Sequence, residues 1–101
     1  MATISKALFR GAATTTVGTT LYTVPSATTT IVTNIVVTNT ASSTGTFTMA
    51  LNGTSIATAV FVAANDSVVI DLKQTLAATN TITGGASATT FNFHISGVEI
   101  S

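Results

Sequence analysis

Seven side chains in this 101-residue chain could hold charge near neutral pH or ligate a metal: Lys6, Arg10, Asp66, Asp71, Lys73, His94 and Glu99. Acid-base or nucleophilic catalysis needs such groups within hydrogen-bond reach of one another. His94 alternates with Asn92 and Ser96, on the strand face opposite Phe91 and Phe93, so it reads as a polar-face or interface residue rather than a general base. No Ser stands in a GxSxG elbow. Asp66, Asp71, His94 and Glu99 sit on separate segments without the spacing of a known metal site. Gly84-Gly85 lacks the Lys and following helix of a phosphate loop and reads as a plain turn. Asn52-Gly53-Thr54 and Asn65-Asp66-Ser67 match the glycosylation pattern but also read as turns. The expectation is a chain that is not an enzyme and has no cofactor and no metal site.

Charge is scarce, 6% of residues against about 25% in an average soluble domain, and it balances to zero. With no cluster of Lys or Arg, a protein that grips nucleic acid through phosphates is not expected. The longest unbroken apolar run, Ala59 to Ala64, is far shorter than the roughly 20 residues a membrane span requires. The start of the chain has no apolar run of secretory length, and synthesis in the cytoplasm is expected. There is no Cys, so disulfides and thiolate metal ligands are excluded.

Positioning falls to strands, because 24 Thr, 10 Val and 8 Ile stand against 5 Leu, 2 Lys and single Gln and Glu residues. β-Branched side chains fit a pleated surface better than a helix. Thr3 to Phe9 reads as a first strand, with a short helical turn as the competing reading, and Thr19 to Val24 reads as a strand closed by Pro25. In Thr30 to Thr40 the pattern places Ile31, Ile35 and Val37 on one face, with Val32 and Val36 on the other. Thr46 to Leu51 puts Phe47, Met49 and Leu51 together. Asn52-Gly53 then predicts a type I′ hairpin, since both residues tolerate positive φ. Ser55 to Ala63 returns, and Ser67 to Lys73 sets Val68, Ile70 and Leu72 against a wet face with Asp71 and Lys73. In Thr89 to Ile100 the apolar parity switches after Ile95, which predicts a bulge at Gly97. Tyr22, Phe47, Phe61, Phe91 and Phe93 are expected mostly in the core. The predicted class is all-β, an antiparallel β-sandwich or jelly roll of about eight short strands. Thr-x-Thr triplets suggest an ice-binding face, but their spacing is too irregular to stack on one plane.

From Gly11 to Asn65 there is no formal charge, and this stretch contains the best strands. Neutral, β-prone edges with no net charge invite pairing. Burial of that surface in a homo-oligomer or larger assembly is therefore expected. The competing reading is a surface kept wet by Thr, Ser and Asn alone.

The runs LYTVPSATTTIVTNIVVTNT (Leu21 to Thr40), LNG (Leu51 to Gly53), ANDSVVIDLKQTL (Ala64 to Leu76) and FNFHISGVEI (Phe91 to Ile100) together resemble small virion structural proteins of tailed bacteriophages. The resemblance implies a capsid decoration or cement protein, made in the host cytoplasm and carried on the virion. Its partners would be itself, with a trimer favoured, and the phage major capsid protein or other virion subunits. A tail or neck accessory protein is the alternative, and a glycan-binding adhesin module the third. Residues 1–10 precede the resembling region and are the candidate docking arm, with Ile4, Lys6, Leu8, Phe9 and Arg10 as interface residues; an ordinary edge strand is the competing reading. Residues 11–101 would form a single β-sandwich domain.

Overall fold

Alternating apolar and polar residues, broken by Gly, Asn and Pro, give eight strands in a computed structural model that describes residues 2–101. They are β1 (Thr3–Ala12), β2 (Thr20–Thr23), β3 (Thr29–Asn39), β4 (Gly45–Leu51), β5 (Thr54–Val62), β6 (Ser67–Leu76), β7 (Thr81–Ala86) and β8 (Phe91–Ile100). Two four-stranded sheets result, with strand orders β1-β8-β3-β6 and β2-β7-β4-β5, and every pairing is antiparallel. The chain is thus an all-β sandwich, as its composition predicts.

The core lies between the sheets. Ile35, Val37, Phe91, Phe93 and Ile95 point inward from the first sheet, and Phe47, Met49, Leu51 and Ile82 from the second. Phe47 and Phe93 meet edge to face across the gap, with centroids 6.3 Å apart. That geometry adds about 0.5–1.5 kcal/mol to their burial. Asn39 is fully buried at one end, where its amide donates to the carbonyls of Ser43 and Val62 at 2.8 and 3.1 Å. Its Oδ1 accepts from the Ala41 N–H, so a polar side chain in the core has its partners. Asn52 (φ 48°) and Gly53 (φ 82°) form the expected hairpin turn between β4 and β5.

Three expectations change because register is set between strands. Gly97 is not a bulge: β8 alternates from Phe91 to Val98 with no extra residue, and the extra residues sit on its neighbours, at Leu8 of β1 and Thr33 of β3. A Cβ on Gly97 would strike the Ile31 carbonyl and come within 2.8 Å of Leu8 Cδ1, so the position needs Gly for close approach. The β3 bulge also reverses parity, so Val32 joins Ile35 and Val37 in the core while Ile31 and Val36 face outward, half-buried. Gly84-Gly85 is not a turn; both residues are buried within β7. The segment between β1 and β2 crosses there, with the Thr16 carbonyl 2.5 Å from where a Cβ of Gly85 would stand.

Candidate functional site

β1 lies on the outer edge of the first sheet, paired with β8 from Thr3–Ile100 to Ala12–Asn92. The boundary expected after residue 10 falls within this strand. The five candidate docking residues divide. Leu8 is buried and Phe9 half-buried against the core, whereas Ile4 (53% exposed) and Arg10 face solvent. Lys6 reaches Glu99 on β8, Nζ to Oε1 3.4 Å. The other Glu99 oxygen accepts a hydrogen bond from the Tyr22 hydroxyl, which also contacts Thr30 Oγ1 at 2.9 Å. Tyr22 belongs to β2, so this cluster ties the sheets together at the end opposite Asn39. Burial, and then the hydrogen bond to the Glu99 carboxylate, raise the Tyr22 pKa above its ordinary 10.0.

The remaining chemistry-bearing groups do not converge. His94 sits between Arg10 of β1 and Val36 of β3. Asp66 caps the turn into β6, its Oδ1 accepting from the Ser67 N–H at 2.8 Å. Asp71 and Lys73 are exposed on β6 and, with Thr33 and Leu72, line an open depression of about 530 Å³. Among the described residues, no three His, Cys, Asp or Glu side chains stand close enough to share a metal ion.

The charge-poor stretch acquires a shape in three dimensions. No strand of the second sheet carries a Lys, Arg, Asp, Glu or His; those residues lie on β1, β6 and β8 or in the turn before β6. The outer face of that sheet presents Thr46, Thr48 and Ala50 of β4 beside Thr83 of β7, with Phe61 of β5 paired to Thr46. Phe61 is 75% exposed, against the expectation that it lies in the core. Val17, 51% exposed, sits over the same face where its backbone crosses Gly85. The exposure of Phe61 was available from parity, since it alternates with Val60 and Val62. That of Ile56 was not. Extra residues on β5, with Ala59 at φ 46° donating its N–H to Thr48 Oγ1, turn Ile56 away from the core.

No family model matches the sequence, and no curated protein matches it. Among solved structures the chain is similar to a Podospora anserina GH26-CBM35 β-(1,4)-mannanase, with TM-score 0.49 and 13% identity over 95% of this chain. It spans 27% of that mannanase. It is also similar to the C-terminal CBM6 of LamC, a marine laminarinase from Zobellia galactanivorans, with TM-score 0.39 and 9% identity, covering 96% of this chain and 98% of that one. A pentameric capsid protein from metagenomic phage sequences is similar with TM-score 0.37 and 18% identity, over 96% of this chain and 60% of that one. Among the described residues no helix is long and apolar enough to cross a membrane.

Proposed function

We propose that this chain is a virion structural protein of a tailed bacteriophage, a decoration protein that lies on the capsid exterior as a homo-oligomer and reinforces contacts between major capsid subunits. The observation that carries the reading is a whole sheet without a formal charge, whose outer face exposes Phe61 and Val17. An uncharged face can be covered by another protein without stranding a buried ion. Burying Phe61 fully would contribute about 1.5–3 kcal/mol per copy, and modest contacts repeated over a lattice add through multivalency. The strand order, with the first strand beside the last and the sheets ordered β1-β8-β3-β6 and β2-β7-β4-β5, supports reading the sandwich as a jelly roll.

A glycan-binding module would be served by a cluster of exposed aromatic rings. Here Phe47, Phe91 and Phe93 are core residues, Phe9 is half-buried against the core on β1, and the Tyr22 hydroxyl is engaged by Glu99 and Thr30, which leaves Phe61 as the one largely exposed ring. Localisation of the chain in purified particles tests the proposal: density on the capsid exterior is expected, and density on the tail or neck would move the protein to that site. A chain absent from particles, monomeric at high concentration and positive on a glycan array would overturn it.

A further inference from the structure

The two free edges of the first sheet fit each other. β1 and β6 each span ten residues and lie at opposite ends of the order β1-β8-β3-β6. Because each neighbouring pair is antiparallel, β1 of a second copy laid beside β6 continues the sheet in the antiparallel sense. We infer that copies of this chain join head to tail, β1 of one copy pairing with β6 of the next; this rests on the proposal that the protein assembles with itself.

Register supports the pairing along three rows. In the rows across the sheet Phe9, Ile95, Ile35 and Ile70 align, as do Arg10, His94, Val36 and Val69, and Ala12, Asn92, Thr38 and Ser67. Continuing those rows sets Phe9 of one copy beside Ile70 of the next. Both are core-facing and half-buried in the single chain, so each gains burial. On the outer face, Arg10 falls beside Val69, which is 58% exposed, and diagonally from Asp71. A diagonal neighbour in a sheet lies about 7–8 Å away, within reach of an Arg side chain. Neither Arg10 nor Asp71 has an ion-pair partner among the described residues, where Lys6–Glu99 is the sole salt bridge.

The irregularities lie in neighbouring rows. β1 has its extra residue at Leu8, between the rows of Ile95 and Ser96, while those of β3, at Thr33, and of β6, between Asp71 and Gln74, fall one row further on, between the rows of Ser96 and Gly97. A bulged edge pairs poorly with a regular strand. Here each edge carries its own bulge, one row from the other, and the regular pairing proposed lies on one side of both, from Phe9 to Ala12 and from Ile70 to Ser67. The contact is heterologous, so it closes into a ring or propagates, according to the rotation between copies.

The chain has no Cys, which makes cross-linking direct. Protein carrying Ala12→Cys is mixed with protein carrying Ser67→Cys and oxidised, and disulfides between the two variants are expected in excess over either homodimer. Native mass spectrometry then follows Arg10→Asp and Asp71→Arg. Each reversal should weaken association about five- to thirtyfold, and the two in one chain should restore it. Far-UV circular dichroism confirms that the variants fold. An oligomer that ignores both reversals, or that cross-links only as homodimers, overturns the edge pairing while leaving assembly intact. Symmetric pairing of β6 with β6, with Asp71 facing Lys73, would appear as insensitivity to Arg10→Asp. A protein that stays monomeric and binds no particle overturns this inference and the proposed function together.

Discussion

Replacing Tyr22 with Phe tests the polar tie between the sheets. The phenol is the hydrogen-bond partner of Thr30 Oγ1, on a residue with no solvent exposure, and it donates to Glu99, whose side chain is 13% exposed. Tyr22→Phe strands the Thr30 hydroxyl, at a cost of about 1–3 kcal/mol, and removes one donor from a carboxylate that keeps Lys6. The expected loss is about 2–4 kcal/mol. For a domain near 100 residues each 1 kcal/mol shifts Tm by about 4–8 °C, so urea and thermal denaturation at pH 7 both resolve it. Thr30→Val in the Tyr22→Phe background should recover about 1–2 kcal/mol, because the stranded hydroxyl is gone. The pH dependence follows from the raised Tyr22 pKa. Above 10.0 the unfolded chain loses the phenolic proton while the folded chain still holds it, so native stability falls as pH rises through the folded pKa. Tyr22→Phe removes that part of the alkaline loss. If Tyr22→Phe lies within about 0.5 kcal/mol of wild type, or if adding Thr30→Val recovers nothing, the assignment of an inter-sheet tie is refuted.

Phe61→Lys should leave stability within about 0.5 kcal/mol, because the ring is largely in solvent. It should abolish or sharply reduce binding to capsids, read by co-sedimentation with particles stripped of the native protein. Asn39→Asp would aim a carboxylate at the Ser43 and Val62 carbonyls in a buried site, and should cost about 3–5 kcal/mol at pH 7. Burial raises the pKa of the new carboxyl, so urea midpoints should show this variant losing less stability at pH 4 than at pH 7. Gly85→Val collides with the Thr16–Val17 backbone and should cost about 1–3 kcal/mol. Hydrogen exchange provides the local check. The Gly84 and Ala86 amides, bonded to the Thr19 and Thr14 carbonyls at 3.0 and 2.9 Å, should lose protection first.

Some elements could be read from neighbours in sequence. Phe47, Met49 and Leu51 alternate with Thr48 and Ala50, and the structure buries them as that period requires. Asn52-Gly53 makes its turn because positive φ is tolerated there, whatever surrounds it. Val68, Ile70 and Leu72 likewise separate from Asp71 and Lys73. The bulges were less accessible. Val32 joins Ile35 because Thr33 has no opposite number on β8, a fact about two strands far apart in the chain. Gly97 signalled a slip, but its cause is the approach of Ile31 and Leu8 rather than an extra residue of its own. Gly84-Gly85 resembled a turn because crowding by Thr16 and Val17 leaves no local trace.

Strand content, the best hairpin and the scarcity of charge follow directly from side-chain shape, local φ and composition. Tertiary structure decided where the uncharged residues go. β3 lies within the charge-free stretch yet joins the sheet that bears the charges, while β7, from beyond that stretch, completes the neutral one. Strand order also brings Arg10 and Asp71 to opposite edges of one sheet. Pairing between distant strands is a property of the whole chain's packing, and no local pattern encodes it.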